Sequence, residues 1–252
     1  VSLTFILIDE ELNEHNYIVR VKPGDLDLGS LARTDELVNE LSSGQRTLDE
    51  AIERLEEIYE KPSPYSRFIT FLAFGASSGA FAMIMHTSWN DVFWATLLGF
   101  IVCLFVFWSE RSKRVTEMLE PLSALVVALL ATAITNLDPH INMPLVILSA
   151  IIAFIPGLAL TLGLSELAAR HLISGTARIM DAIMVLFKLY FGAFLRMSIG
   201  GLIWQPLAFV ASTPLASWTA WLAVFILSTT LAVLFRLRKK DAPWAILGGF
   251  VA

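Results

Sequence analysis

The sequence has little charge and almost no cysteine. Of its 252 residues, 16% are charged and only Cys103 is a cysteine, which excludes a disulfide framework and a cysteine-based metal cluster. The formal net charge of −5 and the lack of any long basic tract argue against a nucleic-acid-binding protein. Hydrophobic residues make up 56% of the chain and its mean hydropathy is +0.67, too apolar for an ordinary globular domain. The composition therefore indicates a membrane protein.

Charge is concentrated at the amino-terminal end, where residues 1–67 hold more than half of the acids and bases. Two alternating stretches predict a β-hairpin, and a stripe of apolar residues after a Thr47/Glu50 capping box predicts a helix. The predicted elements are strands at 3–8 and 17–22 and helices at about 30–41 and from 48 onward. Two strands and two helices make too small a hydrophobic core to be stable alone, so we expect residues 1–67 to be part of a larger α+β module. We also expect that both chain ends are cut. The chain opens in a strand-like pattern, not in a secretory signal peptide.

Apolar runs of about the length that a bilayer requires occupy most of the remaining chain. They lie at 68–85, 92–108, 121–135, 144–164, 182–203 and 218–235, and the run at 243–252 resembles the start of a seventh. Lysine and arginine occur in every other connecting strip. By the positive-inside rule this alternation places residues 1–67 in the cytoplasm.

The order of these runs predicts an α-helical polytopic membrane protein with three parts after the cytoplasmic α+β module at 1–67. A first five-pass unit spans 68–203, an external connector spans 204–217, and a second unit begins at 218–252. Because an odd number of passes leaves the chain on the opposite side of the membrane, a second five-pass unit would have the inverted orientation. The arrangement therefore favours a five-plus-five inverted repeat that is truncated here.

A proline–glycine break interrupts the fourth apolar run and is the strongest candidate for a substrate site. Pro156 cannot donate to the carbonyl of Ile152, and such a break is tolerated in lipid only beside protein or water. Carbonyls such as that of Ile152 would accept from a substrate ammonium, and the amides from Leu158 onward would bind a carboxylate. Gly157 would permit a ligand to approach the main chain closely. Thr161 or Ser165 would contact a substrate hydroxyl; the alternative is a plain packing kink.

Two further apolar runs contain polar residues that are candidates for contact with a substrate. Gly75-Ala76-Ser77-Ser78-Gly79 matches the nucleophile-elbow pattern, but that pattern needs a strand and a sharp turn, so an intramembrane hydrolase is disfavoured. The glycines instead form a small-x-x-x-small packing face, and Ser77 and Ser78 are candidates for lining a substrate path. Arg196 lies deep in the fifth run, where a charge is costly, and is a candidate for substrate binding or for helix pairing.

Proton coupling requires a titratable group, and no acid lies in the middle of an apolar run. The candidates are Asp181, then Glu166, at either side of the segment 165–178, together with Asp91 at an outer end and His171. Each of them is also explained as an interfacial residue.

Several of these stretches together resemble the threonine/serine exporter family. They are residues 21–28, 48–56, 78–82 with Trp89 and Asp91, and above all Ile-Pro-Gly-Leu-Ala-Leu-Thr at 155–161 with Ser-Gly-Thr-Ala-Arg at 174–178. The resemblance covers almost the whole chain.

The resemblance implies export of threonine and serine across a bacterial inner membrane by proton antiport. It also implies a second five-pass unit, in the same or a partner chain, and a homo-oligomer is a further candidate arrangement. We expect no metal or other cofactor. The alternative is a non-transporting membrane-anchored sensor or scaffold, for which neither the Pro156 break nor Arg196 has an evident use.

Overall fold

A computed structural model describes residues 2–8, 14–20, 27–61, 63–200 and 213–251. The chain forms two compact units. The smaller comprises residues 1–26 and 156–184, and the larger comprises 27–155 and 185–252.

The smaller unit contains a two-stranded antiparallel sheet, one whole helix and the first part of another. Strand β1 (Ser2–Ile8) pairs with β2 (Glu14–Arg20), and Phe5 lies opposite Tyr17. The expected end of the second strand at 21–25 lies outside the described residues. The two helices predicted to share a module with this hairpin belong to the larger unit. The α+β module at 1–67 therefore stays a prediction.

Two amphipathic helices open the larger unit. Helix α1 (Leu28–Ser42) begins where the Asp27 side chain accepts a 2.7 Å hydrogen bond from the amide of Ser30. Helix α2 (Leu48–Glu60) begins at the capping box of Thr47 and Glu50, and both bonds of the predicted box are present. The two helices bury Leu37, Ala51 and Ile58 as a small cluster.

Three long apolar helices form the centre of the larger unit, and each is long and apolar enough to cross a membrane. They are α3 (Arg67–Ile84), α4 (Trp89–Ser109) and α6 (Leu119–Leu137), with the short α5 (Lys113–Glu117) between the last two. Small residues let α3 and α4 pack closely, because a Cβ on Gly79 would lie 2.3 Å from Thr96 Oγ1. The predicted small-residue packing face of α3 is confirmed.

The fourth predicted pass is broken, as the proline–glycine motif indicates. It consists of α7 (Met143–Ala150), a 3₁₀ turn at Ile152–Phe154 and α8 (Gly157–Ala168), and counting the pair as one span raises the spans among the described residues to four. Helix α9 (Leu172–Gly200) begins well before the predicted residue 182, because no proline separates 172 from the apolar run and the single Gly175 does not interrupt the helix.

Two shorter apolar helices follow, α10 (Thr219–Leu234) and α11 (Ala242–Val251). Among the described residues only the four spans above meet the length and hydropathy of a membrane crossing. The passes at 182–203 and 218–235, the partial run at 243–252 and the inverted repeat therefore stay predictions. Of the connector at 204–217, residues 204–212 lie outside the described part of the chain.

The strips between helices gather at two ends of the larger unit. At one end Arg67 pairs with Glu110 at 2.9 Å, and the amide of Leu28 donates to the carbonyl of Phe235 at 3.1 Å. At the other end, strips without lysine or arginine meet. Asn90 donates to Asp138 at 2.8 Å there, and the amide of Leu215 donates to the Thr87 carbonyl at 3.0 Å. This segregation agrees with the alternation of basic residues along the chain.

Candidate functional site

The backbone leaves the helical conformation between α7 and α8. The amides of Phe154 and Ile155 donate to the carbonyls of Ile151 and Ile152, both at 3.0 Å, and close the 3₁₀ turn. Ile155 is then extended, with φ −68° and ψ 120°, as expected of a residue before proline. The carbonyl of Ile152, expected to be free for a substrate ammonium, thus already accepts a bond, because a 3₁₀ turn continues past the end of α7.

The end of α7 is held by Ser78 of α3, and the neighbouring Ser77 is bonded within α3. Ser78 Oγ lies 3.3 Å from the carbonyl of Ala150 and 3.1 Å from that of Phe74, and Ser77 Oγ donates to the same Phe74 carbonyl at 2.8 Å. Both serines are buried, and a buried hydroxyl requires such partners. This geometry favours an anchoring role for Ser78 beside the break and a bond within α3 for Ser77, over the predicted lining of a substrate path by both.

The first turn of α8 has open donors. The carbonyl of Pro156 accepts from the amide of Leu160 at 3.0 Å, and no side chain caps the helix. The amides of Gly157, Leu158 and Ala159 therefore point out of the helix start without intrahelical partners. A Cβ added to Gly157 would meet no atom within 4 Å. A small anionic group can reach these amides at a positive dipole end.

Hydroxyl groups continue from this turn along one exposed face of α8. Gly157, Thr161 and Ser165 recur every four residues and are all exposed. Thr161 Oγ1 donates to the carbonyl of Gly157 at 3.0 Å, and Ser165 Oγ donates to that of Leu162 at 2.8 Å. Each hydroxyl keeps lone pairs with which it can accept a further hydrogen bond. The face can thus offer both donors and acceptors to a small polar molecule.

The opposite face of α8 packs against the start of α9. A Cβ on Gly175 would lie 3.0 Å from the carbonyl of Gly163, so both glycines permit a close crossing. The turn between the helices contains Arg170 at φ +64°. Arg178 then donates to Glu166 Oε1 through Nε at 3.1 Å and Nη2 at 2.9 Å. The Ser-Gly-x-x-Arg motif therefore closes a helical hairpin, a role that its spacing to Gly163 and Glu166 could have indicated.

The acidic candidates have different surroundings. Glu166 is paired with Arg178, and its Oε2 is buried without a hydrogen-bond partner. Asp181 lies inside α9 and not at its beginning; it is exposed and forms no ion pair with the described side chains. His171 is also exposed, and its amide donates to the carbonyl of Glu166 at 2.9 Å. Asp181 is thus the freer carboxylate of the hairpin.

Asp91 belongs to the larger unit and is 1% exposed. Its Oδ2 accepts from the amide of Ser88 at 3.0 Å and from Ser88 Oγ at 2.8 Å, and its Oδ1 accepts from the amide of Asn142 at 2.8 Å. These bonds cap α4 and tie it to the start of α7. They favour a structural role for Asp91 over the predicted role in proton coupling.

Arg196 lines a groove of about 510 Å³ between α7 and the second half of α9, within the larger unit. Its Nη1 lies 2.8 Å from the sulfur of Met143, and its Nε is buried without a partner. Lys188, on the same helix, lies 3.9 Å from Glu120. The groove combines residues from two distant segments, and the sequence shows no signal that joins them.

The apolar helices with a broken fourth span define a polytopic helical membrane protein. Residues 1–200 match the family described as "Putative threonine/serine exporter", so the chain belongs to the threonine/serine exporter family.

Similar proteins come from fungi and from a bacterium. An uncharacterized protein of Schizosaccharomyces pombe is 23% identical over 94% of this chain and 32% of its own length. "Pheromone-regulated membrane protein 10" of Debaryomyces hansenii is 26% identical over 73% of this chain and 19% of its own. "Probable threonine/serine exporter" of Mycobacterium tuberculosis is 23% identical over 65% and 31%. The chain thus spans a third or less of each of these relatives, and no solved structure matches it.

Proposed function

We propose that this chain is part of a secondary transporter that exports threonine, serine or similar small amino acids by proton antiport. Membership of the exporter family supports the substrate class. The observation that carries the proposal is the start of α8, where uncapped amides, open space at Gly157 and two hydroxyls share one exposed face. A packing kink needs none of these features together.

The chemistry of the substrate matches this face. The carboxylate of a free amino acid would accept from the amides of Gly157, Leu158 and Ala159, which gain strength from the helix dipole. Thr161 and Ser165 would exchange hydrogen bonds with the hydroxyl of threonine or serine. A site that bonds a substrate hydroxyl rejects analogues without it, because the site's own polar groups would then lose their partner. Export should therefore favour threonine over valine.

Asp181 is the proposed proton-coupling residue, with Glu166 second. An exposed, unpaired carboxylate can exchange protons with water and substrate more readily than one already bonded to Arg178. Glu166 would couple only if transport opens that ion pair.

We further propose that residues 1–67 lie in the cytoplasm, that a second five-pass unit completes the carrier, and that its membrane is a bacterial inner membrane. The alternation of basic strips supports the orientation. Cysteines at Asn90, an exposed residue in the first turn of α4, and at Lys113, an exposed residue beyond its other end, test it in a Cys103→Ser background. An impermeant thiol reagent should label position 90 alone in intact cells; labelling of position 113 alone would reverse the orientation.

The break is tested in the full-length protein with Pro156→Ala, which restores a helical donor, and Gly157→Val, which blocks the approach to the amides. Losing one charge-assisted hydrogen bond is worth about 1.5–3 kcal/mol, so each change should lower threonine export about tenfold or more.

Gly248→Val is the matched control, since a Cβ at Gly248 also meets no atom within 4 Å but lies on α11. Export is measured as efflux of labelled threonine and normalised to membrane expression. Parental rates in both Pro156→Ala and Gly157→Val would show that the break serves only packing.

A further inference from the structure

The groove beside Arg196 has a charged end and an apolar body. One wall is formed by α7 and the turn that follows it, and the other by residues 186–194 of α9. Its volume of about 510 Å³ falls within the range of sites that bind small molecules. Apart from Arg196 and the hydroxyl of Tyr190, the side chains that line it are apolar. The groove therefore suits a molecule with one polar end and an apolar remainder.

The charged end lacks an anion among the described residues. Arg196 forms no ion pair with a described carboxylate, and its nearest hydrogen-bonding contact is the thioether of Met143, which is a weak acceptor. Its Nε is buried and has no hydrogen-bond partner in the described part of the chain. A guanidinium that is partly withdrawn from water is costly unless it meets an anion, so the groove is electrostatically complementary to a negatively charged group.

The groove also has a direction. Arg196 and Met143 lie at its predicted external end, whereas Ile155 and Leu186 lie farther from that end along the apolar segments. From Arg196 to Leu186 the helix rises by about 15 Å at ~1.5 Å per residue. An anionic phospholipid has the same polarity, with its phosphate at the interface and its acyl chains pointing inward.

We propose that this groove binds one anionic phospholipid, whose phosphate contacts Arg196 and one of whose acyl chains lies between α7 and α9. A zwitterionic amino acid fits less well, because no carboxylate among the lining residues would pair with its ammonium. The residues that line the groove are not those of the substrate face proposed on α8.

Native mass spectrometry of the full-length protein in detergent, titrated with dioleoyl phosphatidylglycerol or dioleoyl phosphatidylcholine, tests the proposal. The parent should retain the anionic lipid in preference to the zwitterionic one. Arg196→Gln should weaken retention of phosphatidylglycerol about tenfold, because a charge-assisted contact is lost, and Arg196→Lys should retain part of it. Ala193→Trp should also weaken it by filling the groove without changing the charge. The control is Arg111→Gln, at an exposed residue that follows the C-terminal end of α4 and does not line the groove; it should leave lipid retention unchanged.

Three outcomes would overturn the proposal. Equal retention of phosphatidylglycerol in the parent, Arg196→Gln and Ala193→Trp would show that the groove is not the binding site. In a parallel titration with oleate, preference for oleate over phosphatidylglycerol would identify a fatty acid in place of a phospholipid. Loss of threonine binding in Arg196→Gln with unchanged lipid retention would place Arg196 in the substrate site instead.

Discussion

The bundle of the larger unit and the helical hairpin of the smaller unit use similar residues in opposite ways. In the bundle, small residues such as Ala82 and Ala95 are fully buried, and the hydroxyls of Ser77 and Ser78 are bonded internally. On α8 only Gly163 is buried, and the hydroxyls lie on an exposed face. The comparison separates a rigid scaffold from a surface that can exchange hydrogen bonds with a substrate.

Glycine shows the difference at single residues. A Cβ on Gly99 of α4 would lie 2.3 Å from Ser78 Oγ and 3.0 Å from the carbonyl of Phe74, whereas one on Gly157 would meet nothing within 4 Å. The first glycine permits packing between helices, and the second leaves space in front of a backbone. Glycine thus permits close helix packing in one region and access of a ligand to the backbone in the other.

The largest effect should come from testing these glycines directly. We expect Gly99→Ala to lower the free energy of unfolding by about 1–3 kcal/mol, because Ser78 must move and lose its bond to Ala150. Gly157→Ala should change it by less than about 0.5 kcal/mol. Thermal or denaturant unfolding in detergent measures both. Equal destabilisation of the two variants would break the distinction between scaffold and access surface.

A second test compares the carboxylates of the two units. Asp91→Asn should lower the free energy of unfolding by about 1–3 kcal/mol, because the new amide group cannot accept from both Ser88 and Asn142. Asp181→Asn should leave stability within about 0.5 kcal/mol of the parent, because that side chain is exposed.

In transport assays the exposed acid, Asp181, should be the important one. Asp181→Asn should abolish proton-driven threonine export and spare exchange of internal for external threonine. Gradient-driven export that survives in the full-length protein would remove Asp181 from the coupling mechanism. In the stability test, equal destabilisation of Asp91→Asn and Asp181→Asn would contradict the contrast between a buried structural acid and an exposed functional one.

The smallest effect concerns polar contacts at the exposed end of the larger unit. Lys240 and then Arg238 lower the pKa of Glu36 from its ordinary 4.5 by donating hydrogen bonds to it. Because the folded pKa is depressed, the contact is fully present above the ordinary pKa and is lost as pH falls through the lowered one.

Hydrogen exchange in α1, corrected for its intrinsic pH dependence, should therefore accelerate as the pH is lowered from 6 toward and below about 4. Glu36→Gln should show the faster exchange already at pH 6 and lose the pH step, whereas Glu53→Gln on exposed α2 should keep it. A pH step that persists in Glu36→Gln would assign it to other carboxylates.

The sequence alone determined the helical membrane class, the capping box at Thr47, the small-residue face of α3 and the break at Pro156. These features depend on local chemistry: apolar periodicity, a reciprocal cap, residue size and a missing amide. The resemblance carried by the Pro-Gly and Ser-Gly-x-x-Arg motifs agrees with the family match over residues 1–200.

Only the tertiary structure decided which polar groups are free. Nothing local shows that Ser78 bonds to Ala150 or that Asp91 reaches Asn142. The groove beside Arg196 likewise requires α7 and α9 to meet. These contacts join residues far apart in the chain, and a hydrogen bond or a cavity depends on distances that residue spacing does not encode.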